Sequence, residues 1–168
     1  VTAVLAGYLE QEPAAFVLLV VALAAFVVFG LRLGLTDWRT HRLPDRIVLP
    51  SYPASILVLG AAAVAAGEWH RVLGMLGGGV ILWAAFAALH LLRPSGLGFG
   101  DVKLAGLLGL YLGFAGWAEL WWGPVFGIVL GGLWSSVLVT ARRATLRSSV
   151  AFGPFLIAGA ALALAVLP

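Results

Sequence analysis

Six long apolar stretches, separated by short connections that carry most of the charge, set the terms on which this chain can fold. They run over about residues 14–36, 47–66, 72–92, 104–118, 121–141 and 151–167. A helix needs about 20 mostly apolar residues to cross the hydrocarbon core of a bilayer. The fourth stretch is short, and is expected to be extended by its neighbours or to sit low in the membrane. The runs are continuous rather than alternating, which favours helices over barrel strands. Charged residues make up 10% of the chain and apolar ones 62%, whereas a soluble domain carries roughly 25% charged residues. A bilayer is therefore the main solvent. The expected fold is all-α, a polytopic membrane bundle of about six transmembrane helices forming a single domain over residues 1–168.

Charge placement orients the bundle. The connections at 37–46, 93–103 and 142–150 hold Arg39, Arg42, Arg46, Arg93, Lys103, Arg142, Arg143 and Arg147. The other side has Arg71 as its basic residue, beside Glu10, Glu12, Glu68 and Glu119. Basic connections stay in the cytoplasm, so with six spans both termini are expected outside, in an inner (cytoplasmic) membrane. The net charge of +3 then reports topology, and no nucleic-acid partner is expected. Glu10 and Glu12 precede the first apolar run where a cleavable signal would carry positive charge. The absence of cysteine excludes disulfides, thiol catalysis and cysteine-held metals. Glycines recur four apart, Gly74 with Gly78, Gly109 with Gly113 and Gly127 with Gly131. That spacing lets helices approach closely, here expected within one chain; it leaves the oligomeric state open. Trp69, Trp117, Trp121 and Trp122 fall at the outer boundary, as an aromatic belt would.

Ionisable residues near membrane depth are the natural candidates for chemistry. Asp37 falls where the first span ends, and Asp101 just before the fourth begins. Helix ends on one membrane face can meet although 64 positions separate them (101 − 37). Two carboxyls about 3 Å apart cannot both ionise, so one keeps a proton while the other acts as a base. Such a pair can activate a water and protonate the group under attack. Taken singly, either aspartate could instead cap a helix or pair with Arg39, Arg42 or Lys103. Asp45, after Leu43-Pro44 and between Arg42 and Arg46, fits that structural role. Gly96, Gly98 and Gly100 precede Asp101 and let an extended peptide approach the backbone. Asp101 would then open a helix, where the dipole favours a carboxylate. A phosphate cradle would need a preceding strand and a Lys-Ser/Thr ending, both missing. His41, His70 and His90 build no helical pair, so they are assigned to packing or interfacial hydrogen bonds and no metal site is expected.

Gly98-Phe99-Gly100-Asp101-Val102-Lys103 resembles the GxGDxK signature of the prepilin (type IV leader) peptidases, a branch of the GxGD intramembrane aspartic proteases. Asp37-Trp38-Arg39-Thr40-His41-Arg42-Leu43-Pro44-Asp45, followed by Pro50, is similar to that family's first aspartate motif. Phe152-Gly153-Pro154-Phe155 resembles its carboxy-terminal Phe-Gly-Pro-Phe. The three motifs stand in the family's order and reach across the chain. The resemblance implies an aspartic endopeptidase with Asp37 and Asp101 as catalytic pair. Gly98, Gly100, Lys103, Pro44, Asp45, Gly153 and Pro154 become motif or substrate-binding support. It implies a prepilin-like substrate whose leader ends in Gly before a hydrophobic helix, cut at the cytoplasmic face without a cofactor. Longer members carry a cysteine-containing region associated with methylating the new amino terminus. With Asp37 so early and no Cys, a peptidase-only form is expected. The alternatives are a small ion-coupled carrier using the same aspartates as proton sites, or a pilus-machine subunit without activity.

Overall fold

The structure is a computed structural model that describes residues 1–40, 43–92, 97–141 and 151–167. Among these residues it forms seven helices and no strand: α1 (Thr2–Gln11), α2 (Pro13–Thr40), α3 (Asp45–Ala65), α4 (Trp69–Leu92), α5 (Phe99–Ala115), α6 (Trp117–Thr140) and α7 (Gly153–Val166). By length and composition α2, α3, α4 and α6 can each cross a membrane. The apolar helices α5 and α7 are shorter, at 17 and 14 residues. The molecule is an all-α polytopic membrane bundle. His41, Arg42, Arg93, Gly96, Arg142, Arg143 and Arg147 lie outside the described residues.

Three boundaries differ from the sequence reading, each for a physical reason. The segment before the first span, outside the six apolar stretches, is the helix α1, whose Tyr8 sits one turn after Val4 and Leu5 and packs with them on the core. The first span continues through Asp37 to Thr40; its Thr36 and Thr40 hydroxyls are taken up by carbonyls four residues back, so they do not cap an earlier helix end. The fourth helix starts five residues early, at Phe99, and stops at Gly116, whose extended backbone divides α5 from α6.

Helix α5 is the axis of the bundle. Val102 and every residue from Leu104 to Phe114 are buried, as expected of a helix apolar on all sides. Helices α3, α4, α6 and α7 surround it. The tightest approach is to α4, where a Cβ on Gly78 would lie 2.5 Å from the Gly109 carbonyl oxygen and 2.8 Å from the Gly113 Cα. Helices α6 and α7 meet the same way, Gly127 facing the Leu156 Cα and Gly159 facing Gly127. The glycines spaced four apart are thus spent on contacts within the chain.

One end of the bundle is closed by Arg71. Its guanidinium donates to the carbonyls of Phe114 and Ala115, at 3.1 and 3.3 Å, and pairs with Glu68, which also accepts the Tyr8 hydroxyl. A cation here satisfies the last carbonyls of α5 and complements its dipole. Exposed Trp69, Trp117, Trp121 and Trp122 ring the same end. Since Arg71 opens α4 and meets the end of α5, the two helices are antiparallel. The start of α5, with Asp101, lies at the opposite end.

Candidate active site

Phe26, Gly30, Leu33 and Asp37 are all buried on α2, a spacing of four, three and four that keeps them on one helical face. Asp37 thereby continues the apolar stripe into the bundle, at 5% exposure. A carboxylate in the last turn of its own helix faces the unfavourable end of the dipole, and burial adds a desolvation cost. Helix α7 supplies the compensation. The backbone N–H of Gly153 donates to Asp37 Oδ2 at 3.1 Å. Gly153 opens α7, so this amide is one of the donors a helix start leaves without an internal partner. A Cβ on residue 153 would come within 2.7 Å of Oδ2, so glycine is what lets the carboxylate reach the helix end. Pro154 follows in the first turn, where its missing N–H costs nothing.

Asp101 lies in the first turn of α5, half-buried, with its N–H donating to the Gly98 carbonyl at 3.0 Å. Gly98 caps the helix in an extended conformation, and its α-carbon is covered by Asp101 Oδ2. Gly100 packs on Leu43, where a Cβ would lie 3.0 Å from the leucine Cβ. This seats the glycine loop against the connection from α2 to α3. Leu104, one turn beyond Asp101, reaches the point where Gly153 meets Asp37. The two carboxylates are thus drawn to one end of the bundle from α2 and α5, with Gly153 and Leu104 between them.

Lys103 turns away to α3, its Nζ 2.7 Å from Asp45 Oδ1. Asp45 is the first residue of α3, directly after the extended cap Pro44. The Lys103 ammonium also lies 5.1 Å from the Phe99 ring centroid, and the Lys103 carbonyl accepts the Tyr52 hydroxyl at 2.6 Å. From α4, His90 Nδ1 is 2.7 Å from the Leu97 carbonyl, and its ring stands against Phe99. Tyr52 was not singled out in the sequence, since an aromatic in apolar surroundings carries no mark of its own, and Leu43 stood in the first aspartate motif without a separate role. Trp38 joins Trp134 and Phe155 in a ring cluster with centroids 5.9–6.4 Å apart. Beside it an apolar groove of about 400 Å³ opens between α2 and α7, past Gly34 and Pro154.

Comparison with known proteins adds to this geometry. Residues 24–167 match the family described as the type IV leader peptidase family. The chain is 34% identical to a prepilin leader peptidase/N-methyltransferase of Burkholderia pseudomallei (strain 1026b), over 85% of this chain and 46% of that protein. A protein of the same name from Escherichia coli (strain K12) is 30% identical over 87% of this chain and 63% of its own length. That of Dickeya chrysanthemi is 33% identical, covering 95% and 54% respectively. The chain spans about half the length of these relatives. No solved structure matches it.

Proposed function

The chain belongs to the type IV leader peptidase family, and on that premise we propose that it is an intramembrane aspartic endopeptidase that removes the leader of type IV prepilin-like proteins. Asp37 and Asp101 are its catalytic pair, and residues 1–168 act as one domain. The observation that carries this reading is the placement of the two carboxylates at one end of the bundle, one buried and held by a helix start, the other at the mouth of α5.

The chemistry follows from sharing one proton. The ionised carboxylate takes a proton from a water as that water adds to the scissile carbonyl, and the protonated one delivers its proton to the carbonyl oxygen. Collapse of the tetrahedral intermediate breaks the C–N bond, with a carboxyl proton passing to the leaving amine. Neither aspartate can substitute for the other. Gly98, the extended cap beside Asp101, offers its backbone to an extended peptide, while Gly100 packs on Leu43. The basic connections orient the enzyme in the cytoplasmic membrane, with both termini outside and the pair toward the cytoplasm. Carboxylates at helix ends support this reading over an ion-coupled carrier, whose sites sit near the bilayer midplane.

Co-expression with a prepilin tests it, the leader being followed by mass. The wild type should yield mature subunit, whereas Asp37→Asn and Asp101→Asn should leave intact precursor while still inserting. Near-normal processing by either variant would overturn the assignment.

A further inference from the structure

Lys103 is gripped twice by one helix. Asp45 holds its ammonium and Tyr52 its carbonyl, at 2.7 and 2.6 Å. Asp45 and Tyr52 are seven residues apart (52 − 45), two turns of helix, so both stand on one face of α3. Val48, between them, is fully buried. The ion pair is only partly shielded, with side-chain exposures of 22% for Lys103 and 57% for Asp45. Pairs so exposed add little to stability, and a lysine at a membrane boundary is ordinarily free to extend toward the headgroups. Both grips fall at the start of α5. Lys103 lies two residues after Asp101.

We infer that Asp45 and Tyr52 are positioning residues for the cleavage reaction: acting through Lys103, they set the angle at which α5 presents Asp101 to Asp37. The inference rests on the reading of that pair as catalytic. Lys103 then works as a handle on α5, with no part at the reacting atoms. Its ammonium is held by Asp45 and the Phe99 ring, and its main chain by Tyr52.

Charge reversal separates a handle from a catalytic or substrate-binding lysine. Purified enzyme would be assayed on prepilin as wild type, Lys103→Asp, Asp45→Lys, the double swap, Lys103→Arg and Tyr52→Phe. Misplacement of a reacting group by about 1 Å can cost about a hundredfold in rate, so each single reversal should lower kcat by tenfold to a hundredfold with KM little changed. The double swap should recover most of the loss, Lys103→Arg should stay near wild type, and Tyr52→Phe should lower kcat several-fold.

A readout independent of cleavage uses the cysteine-free chain. Cysteines at positions 37 and 101, joined by a short bismaleimide, should cross-link efficiently, poorly with either reversal, and well again with both. Cross-linking that follows this pattern, together with a wild-type enzyme that cuts no prepilin, would defeat the proposed function and leave the positioning intact. The positioning is overturned if the swap is no better than the worse single variant. It is equally overturned if the reversals leave both rate and cross-linking unchanged.

Discussion

A buried carboxylate in the last turn of its own helix has electrostatics against it, so what surrounds Asp37 matters more than where the chain places it. The Gly153 amide is one partner found there, at 3.1 Å, and the space for it exists only because residue 153 lacks a Cβ. Gly153→Ala would set a carbon 2.7 Å from Oδ2, forcing either the carboxylate or the start of α7 to move. A shift of about 1 Å at a reacting group can cost about a hundredfold in rate, so this variant should lose at least tenfold in prepilin cleavage while inserting normally. A cleavage time course with purified protein checks it, and wild-type rates would mean that the contact can relax freely. Asp45→Ala, which deletes one grip on Lys103 and touches neither Asp37 nor Asp101, should keep measurable activity under conditions where Asp101→Ala has none.

Among the elements, α4 and α5 are held by backbone contact, and α5 is anchored at its far end by Arg71. Gly113→Leu would drive a side chain into the Gly78 Cα, only 2.9 Å from where its Cβ must lie. Overpacking of this kind costs about 1–3 kcal/mol, and the variant should unfold at a lower temperature in detergent than the wild type. The anchor should respond to acid. Burial alone would make Glu68 harder to ionise, but hydrogen bonds from Tyr8 and Arg71, with the charge of Arg71, outweigh it and hold Glu68 below its ordinary value of 4.5. A carboxylate lowered on folding contributes stability that is fully present above its unfolded pKa and is lost as pH falls through the folded one. The wild type should therefore lose melting temperature as the pH drops below 4.5, and Glu68→Gln should flatten that slope. Parallel melting curves for the two would count against the anchor. Hydropathy made the long helices α2, α3, α4 and α6 legible within a few residues. Helix α1 was not, because its ten residues are held by packing of Tyr8 against elements far away in sequence. The start of α5 was read late because Phe99 to Lys103 is too polar to extend an apolar run.

At the scale of the whole molecule, Arg39, Arg46 and Lys103 belong with the aspartates to one end, and Arg71 with Trp69, Trp117, Trp121 and Trp122 to the other. Cysteines placed at Arg39 or Arg46 should react with an impermeant thiol reagent only from the cytoplasm, and one at Glu12 only from outside. Labelling of position 39 in intact cells would invert the topology. That Asp37 and Asp101 share an end could be read from their places at two helix ends. The grips on Lys103 could not, since the partners Asp45 and Tyr52 come from a helix whose rotation is fixed only by packing. Nor could the use of Gly153 as a donor be read, because a main-chain amide leaves no trace in the sequence. That last feature bears on how the site tolerates change over generations. A side-chain donor to Asp37 would be lost with any of many codon changes. The donor here belongs to the peptide bond itself, so every residue but proline retains it, and selection at position 153 acts on room alone.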